Sequence, residues 1–159
     1  MNNKQINEWG LAGGVSPFSP ENVNPASLDL CWSGLLRTDT TIGWSGELNR
    51  LSHYLHKGDI VLLDTLEYIK MPLDYCGLIL SKTKLGRGGT ELGHVGWVDP
   101  GFEGTITFQL IHFSRKIRKI EKGERLIQLV LLKLDEAAAI SYAEQGNYNG
   151  QHGPTGLRI

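Results

Sequence analysis

The chain has little cysteine, no long apolar run and almost no net charge, and each absence excludes a class of protein. Only two of its 159 residues are cysteines, Cys31 and Cys76, without a CxxC spacing, which indicates a reduced, cytoplasmic protein. The longest apolar runs, such as 129–132, are too short to cross a bilayer, and the first residues lack the apolar segment of a signal peptide. Sixteen Lys and Arg against seventeen Asp and Glu leave a formal charge of −1, which argues against nucleic-acid or membrane-surface partners.

Motifs for several catalytic chemistries are also missing. The sequence has no HxE…PCxxC pattern for a zinc-dependent nucleobase deaminase, no P-loop, no GxSxG and no GxGxxG after a strand. Among the histidines only His53 and His56 have a spacing that a metal could use, and we interpret them as ordinary side chains. We therefore predict no metal held by the protein. The basic run 115–122 suits either a phosphate-binding patch or a solvated strand edge, and the net charge favours the edge.

Glycine is abundant instead, with 20 residues in 159, well above the average usage of about 7%. Short apolar runs at 58–64, 78–80 and 125–134 lie between turn signals, which predicts strands of one all-β domain, a sandwich or barrel, over 1–159. Short helices are predicted at 4–11 and 135–139. The segment 105–110 alternates strictly, which places one set of side chains on each face of a strand: Ile106, Phe108 and Leu110 against Thr105, Thr107 and Gln109.

Five segments in chain order resemble the trimeric dCTP deaminase/dUTPase superfamily: 24–30 (NPASLDL), 64–72 (DTLEYIKMP), 96–104 (GWVDPGFEG), 122–129 (KGERLIQL) and 150–158 (GQHGPTGLR). The last segment is most similar to the deaminase branch. The resemblance implies a distorted β-barrel or jelly-roll of the dUTPase-like type, with short helices and a flexible C-terminal arm. It also implies a homotrimer with active sites between subunits, a deoxypyrimidine triphosphate substrate, and Mg²⁺ bound through the nucleotide phosphates.

The resemblance assigns two residues to the reaction centre. Asp99, in a Val-Asp-Pro-Gly turn, matches the carboxylate that orients or deprotonates the attacking water, although turn chemistry alone would also suit it. Gln109 stands where the deaminase branch has a glutamate that shuttles a proton to the base and the departing ammonia. A glutamine amide has no titratable proton, so Gln109 argues against deamination. It could hydrogen-bond a base, or be a polar residue on a wet strand face.

The segment after the strand at 78–80 occupies the place of the family's Arg-Ser-Ser phosphate loop. By position Lys82 replaces the arginine, Thr83 keeps a hydroxyl and Lys84 replaces the second serine, while Arg87 matches a further phosphate-binding arginine. A lysine is a point charge and cannot copy a bidentate guanidinium, so the binding geometry differs from the family's. The alternative is a solvated, lysine-rich loop.

The glycine-rich C-terminal residues, about 144–159, resemble the lid that closes over the nucleotide in the deaminase branch. Tyr148 and Gln151 match its substrate-binding positions, and a glycine-rich lid can order on binding and exclude water. The alternative is a frayed terminus. Arg125 and Gln128 are assigned to the barrel and the subunit interface.

These residues favour a dUTP diphosphatase, which converts dUTP and water into dUMP and pyrophosphate, because Asp99 is kept and the shuttle glutamate is not. The first alternative is a dCTP deaminase, or a bifunctional dCTP deaminase/dUTPase. The second alternative is a non-catalytic module that binds a nucleotide.

Overall fold

Strands dominate the chain because its apolar residues come in short runs between turns. The structure, a computed structural model, describes residues 1–93 and 96–156. Its strands are Val15–Ser16 (β1), Leu28–Thr40 (β2), Gly43–Trp44 (β3), Leu48–Asn49 (β4), Ser52–Leu55 (β5), Ile60–Lys70 (β6), Tyr75–Ser81 (β7), Thr90–Leu92 (β8), Trp97–Val98 (β9), Glu103–His112 (β10), Arg118–Glu121 (β11) and Arg125–Lys133 (β12). The α-helices are Asn3–Trp9 (α1), Thr83–Arg87 (α2) and Tyr142–Gln145 (α3). The predicted all-β class is confirmed.

Ten of these strands form one curled antiparallel sheet with the long strands β2 and β6 at its centre. The order is β8-β10-β6-β2-β12-β7-β9, with β1 added to β6 and with β3 and β4 added to β2. Strands β5 and β11 pair separately. The sheet curls into a half-barrel of the kind that the resemblance implied. Strand β6 pairs with β10 on one side and with β2 on the other, so side chains of these three strands are neighbours in the sheet.

The inner face of the sheet carries the core. Strand β10 follows the predicted alternation: Ile106, Phe108 and Leu110 are buried, whereas Thr107 and Gln109 are only half-buried on the other face. Strand β12, which the sequence predicted to be apolar on both faces, buries residues that point both ways: Leu126, Ile127, Leu129 and Leu131. The predicted strands are therefore confirmed. Two details differ: Thr105 on the polar face of β10 is buried, and Leu132 at the end of β12 is exposed.

One of the two helix predictions is confirmed and the other is wrong. Helix α1 begins after Asn2, whose side chain caps the Gln5 N–H at 3.0 Å in a capping box. The segment 135–139 is not helical, because the Ala138 N–H instead donates to the Leu73 carbonyl at 2.8 Å. The short helix α3 forms further on, where Ser141 supplies the cap.

Both cysteines are buried and free. Burial raises the pKa of the Cys31 thiol to about 12, which keeps it protonated and unreactive. Within residues 1–93 and 96–156, none of the helices has the length and apolarity needed to span a membrane.

Two carboxyl groups of strand β6 are buried in this sheet. Asp64 is 1% exposed and Glu67 is 4% exposed. Glu67 accepts the Cys31 N–H at 2.9 Å. Asp64 accepts the Ser33 hydroxyl and, at 3.1 Å, the Gly153 N–H. Burial raises the pKa of both carboxyl groups, to about 6 for Asp64.

Replacing Asp64 by asparagine tests this burial through pH. The pKa of Asp64 in the folded protein, about 6, lies above the ordinary value of 3.8, so ionisation opposes folding as the pH rises through this window. Asp64→Asn should therefore be more stable than the wild type at pH 7.5, by at most about 3 kcal/mol, and lose this advantage by pH 4. Urea denaturation at both pH values measures the difference. A stability difference that is independent of pH contradicts the raised pKa.

Candidate active site

A tight turn after strand β9 places Asp99 at the edge of a pocket. Pro100 fixes the backbone after Asp99, and Gly101 has φ of +77°, a conformation that glycine adopts readily. The Phe102 N–H closes the turn by donating to the Asp99 carbonyl at 3.1 Å. One oxygen of the Asp99 carboxylate accepts the indole N–H of Trp97 at 3.1 Å. The turn chemistry therefore fixes the backbone, and Trp97 orients the carboxylate.

The pocket beside Asp99 has a volume of about 480 Å³ and a largely aromatic lining, made by Trp44, Trp97, Phe102, Phe108, Tyr142 and Tyr148. Its polar lining comes from Asp99, Thr107, Gln109, Gln151 and Thr155. Ring faces can stack on a planar ligand, and the few polar groups can orient it. The structure thus brings together four residues that the sequence predicted for the site: Asp99, Gln109, Tyr148 and Gln151.

Gln109 lines the pocket from the face of β10 opposite the buried side chains of Ile106, Phe108 and Leu110. Its amide packs against Gly93, where an added Cβ would lie 2.1 Å from the Gln109 Oε1. The Gly93 N–H donates to the Gln109 carbonyl at 3.0 Å. The amide offers both an N–H donor and a C=O acceptor, but no proton that it can give up at neutral pH. Gln109 can therefore recognise the edge of a base and cannot act as an acid or base.

The C-terminal segment 149–156 packs along the start of strand β10 and forms one wall of the pocket. The Thr105 N–H donates to the Gln151 carbonyl at 3.0 Å, and the Gln151 side chain donates to the Thr105 carbonyl at 2.7 Å. Backbone groups of the segment are paired with the sheet in this conformation, and the flexibility expected from the glycine content stays a prediction. Residues 157–159 of the predicted lid lie outside the described residues.

Gln151 carries a buried polar atom that no described residue satisfies. Its side chain is 7% exposed, and its Oε1 finds no hydrogen-bond donor within residues 1–93 and 96–156. An unsatisfied buried acceptor costs about 1–3 kcal/mol. A ligand N–H or O–H that reached this oxygen would remove that cost.

The predicted phosphate loop forms the short helix α2, and its two lysines bind carboxylates of the same chain. Lys82 forms an ion pair with Asp29, whose side chain is 2% exposed and also accepts the Asn24 amide at 2.8 Å. Lys84 binds Glu124 at 3.1 Å. Arg87 is exposed and forms no ion pair in the part of the chain that the structure describes. Of the three predicted cations, Arg87 is thus the one left available for an anion.

The structure does not bring the phosphate loop to the pocket of its own chain. Among the residues described, Lys82, Thr83, Lys84 and Arg87 are absent from the pocket lining, which contains Asp99 instead. The described residues also place no group of three or more His, Cys, Asp or Glu side chains where they could hold a metal ion.

Sequence reasoning missed several residues of the site. Trp97 lies two residues before Asp99 in an extended segment, so strand alternation could have placed both side chains on the same side. Trp44 and Tyr142 are far from Asp99 in sequence, and no local pattern connects them to it. Thr107 lies on the same face of β10 as Gln109, and this alternation could have placed it in the site.

Comparison with known proteins identifies the family. A family model described as "dCTP deaminase-like" matches residues 3–134. The "dCTP deaminase, dUMP-forming" of Rhodococcus erythropolis is 36% identical, with 89% of this chain and 85% of that protein covered. The protein of the same name from Aquifex aeolicus is 33% identical, with 91% and 85% covered.

Solved structures with the same fold include both branches of the superfamily. The dCTP deaminase of Agrobacterium tumefaciens superposes with a TM-score of 0.71 at 16% identity, over 82% of this chain and 47% of that chain. A dUTPase from phage phi11 of S. aureus superposes with a TM-score of 0.52 at 16% identity, over 80% and 94%. The resemblance to the superfamily that the five segments indicated is therefore confirmed. The chain belongs to the dCTP deaminase-like family.

Proposed function

We propose that the protein forms dUMP from a deoxypyrimidine triphosphate and releases pyrophosphate. The observation that carries the proposal is the Asp99 carboxylate, held by Trp97 at the edge of an aromatic pocket that also contains Gln109. The aromatic side chains suit a pyrimidine ring, and the amides of Gln109 and Gln151 suit its polar edge. The names of the relatives support the same product.

In the proposed reaction Asp99 acts as the general base. Its carboxylate takes a proton from a water molecule whose oxygen attacks the α-phosphorus. The bond from that phosphorus to the oxygen bridging the α- and β-phosphates breaks, and pyrophosphate leaves with dUMP remaining. The Trp97 indole N–H donates to one oxygen of the Asp99 carboxylate, and the other oxygen is the one that we assign to the water. A positioned base of this kind contributes about 10²- to 10⁴-fold to the rate.

The pyrophosphate leaving group needs positive charge, and none of the described residues that line the pocket is a lysine or an arginine. The described lining offers a single carboxylate, Asp99, with amides and hydroxyls, and this donor set does not form a metal cage. We therefore expect Mg²⁺ to enter with the nucleotide, bound through its phosphates, where it neutralises their charge. Arg87 is the protein cation that we assign to the phosphates.

The separation of the pocket from the Arg87 loop supports the proposed homotrimer. A single chain lines the pocket with Asp99 and carries Arg87 elsewhere, so one site needs the loop of a second copy. The free cysteines suit the cytoplasmic location that we propose.

Three candidate functions fit the site, two of them with different starting nucleotides, and a different observation favours each. The names of the relatives favour dCTP, with deamination and pyrophosphate release in one protein, which the sequence analysis ranked second. Gln109 favours dUTP, because its amide cannot carry the proton that deamination requires. The internal ion pairs of Lys82 and Lys84 favour a third candidate, a module that binds a nucleotide without turnover.

Product analysis after incubation with Mg²⁺ and either dUTP or dCTP tests the proposal. We expect dUMP and pyrophosphate from at least one of them, detected by ion-exchange chromatography. Asp99→Asn should lose about 10²- to 10⁴-fold in turnover and keep its affinity, because the amide has the same size but cannot accept the proton. Affinity for a non-hydrolysable analogue is the control. Binding without product from either nucleotide would instead establish the non-catalytic module.

Gln109→Glu tests whether the glutamine prevents deamination of dCTP. If the glutamine blocks deamination, the wild type consumes dUTP only, and the variant gains conversion of dCTP because a carboxylate can shuttle the proton. Ammonia release from dCTP measures the gain, and Gln109→Met, of similar length, is the matched control. Ammonia release by the wild type would show that the protein deaminates by another route.

A pair of variants separates the roles of the two cations. Lys82→Gln leaves the buried Asp29 without its ion-pair partner and should destabilise the protein by about 3 kcal/mol. Arg87→Gln should leave stability within about 0.5 kcal/mol and raise the KM for the nucleotide. Urea denaturation and steady-state kinetics measure the two effects. If Lys82→Gln raised KM without loss of stability, Lys82 would be a phosphate ligand and its ion pair dispensable.

A further inference from the structure

The C-terminal segment 149–156 is held by contacts that lie outside the pocket as well as by those inside it. Its backbone bonds reach three strands: the Gly153 N–H donates to Asp64 of β6, and the Thr155 N–H donates to Thr107 of β10 at 3.1 Å. The Pro154 carbonyl accepts Arg37 Nε of β2 at 2.8 Å. Strands β2, β6 and β10 are neighbours in the sheet, so the segment crosses them at one place.

Asp64 is the buried charged acceptor among these contacts. One carboxylate oxygen accepts the Ser33 hydroxyl, which fixes its orientation, and the other accepts the Gly153 N–H at 3.1 Å. Asp64 is 1% exposed and does not belong to the described lining of the pocket. A charged acceptor with both oxygens bonded makes a stronger and more directional contact than a neutral one.

We propose that Asp64 is a positioning residue that holds the C-terminal segment in place as the wall of the pocket. The segment contributes Gln151 and Thr155 to the same lining as Asp99. Loss of the Asp64 contact releases the segment and leaves that side of the pocket open to water. The holding of the segment is independent of any reaction, whereas its effect on turnover rests on the proposed function.

The surroundings of Asp64 fit an anchor for a backbone N–H. Thr107 lies directly opposite Asp64 in the β6–β10 register. Its hydroxyl donates to the Gly153 carbonyl at 3.5 Å and accepts the Thr155 N–H, so it binds the same segment from the neighbouring strand. The charged groups nearby are Glu47, whose carboxylate packs against Gly153, and Arg37, which is engaged by the Pro154 carbonyl. Burial, with a smaller contribution from Glu47, raises the pKa of Asp64 to about 6, so Asp64 is mostly ionised at pH 7.5.

Amide hydrogen exchange of the nucleotide-free protein at pH 7.5 tests the proposal. In Asp64→Val the amides of Gly153 and Thr155 should exchange about tenfold faster than in the wild type, because the acceptor is lost. The amides of strand β12 should keep their protection, which shows that the sheet is intact. Asp64→Asn is the matched control: it keeps an acceptor oxygen and should retain most of the protection. Unchanged exchange at Gly153 in Asp64→Val overturns the proposal.

Ser33→Ala supplies the same comparison if Asp64→Val does not fold. Loss of the Ser33 hydroxyl frees the Asp64 carboxylate to rotate away from Gly153, so faster exchange at Gly153 is expected and unchanged exchange contradicts the proposal.

A kinetic comparison then tests the effect on the pocket. Asp64→Val should raise the KM for the nucleotide about tenfold with a smaller change in kcat, and Asp64→Asn should restore the wild-type KM. If the amides of the segment exchange faster in Asp64→Val but the KM is unchanged, the segment does not contribute to nucleotide binding and this part of the proposal is overturned. If the wild type shows no turnover, the proposed function fails while the exchange experiment still decides whether Asp64 holds the segment.

Discussion

The pairing of strand β10 with strand β6 is the contact on which both the core and the pocket depend. Because side chains alternate along a strand, β10 buries Phe108 in the core and carries Thr107 and Gln109 on its other face, and all three residues contribute to the lining of the pocket. On β6, Asp64 lies opposite Thr107, and both side chains accept backbone N–H groups of the C-terminal segment. A shift of this register by one residue would exchange the two faces and remove the core and the site together.

Burial of charge is the second constraint. Asp29 is buried and needs a cation, and Lys82 supplies it, so a residue that the sequence predicted to bind phosphate is already engaged within the chain. Arg87 has no such partner among the described residues, and it is the cation that we propose for the phosphates. A list of cations along the sequence does not separate these two roles, because the acidic partner Asp29 is 53 residues away.

The position of Gln109 connects the family to the chemistry that we propose. Relatives named for dUMP formation start from dCTP, and the amide of Gln109 has no proton to shuttle. Release of pyrophosphate makes no such demand, because the base that we propose for it is Asp99. In our proposal the two steps of dUMP formation depend on different side chains, so that one step can be kept when the other is lost.

The sequence by itself determined the local features: the alternation of 105–110, the Asp-Pro-Gly turn that carries Asp99, and the family resemblance in five segments. These depend on neighbours within a few residues, which a linear pattern records. The helix that the sequence predicted at 135–139 is absent, because the Ala138 N–H donates to the Leu73 carbonyl instead.

Only the tertiary structure decided where the C-terminal segment lies. Its glycines predicted mobility, yet Gly153 is held by Asp64, 89 residues away, and Pro154 by Arg37, 117 residues away. Contacts over such separations exist only once the sheet has brought the strands together, since no local propensity encodes them.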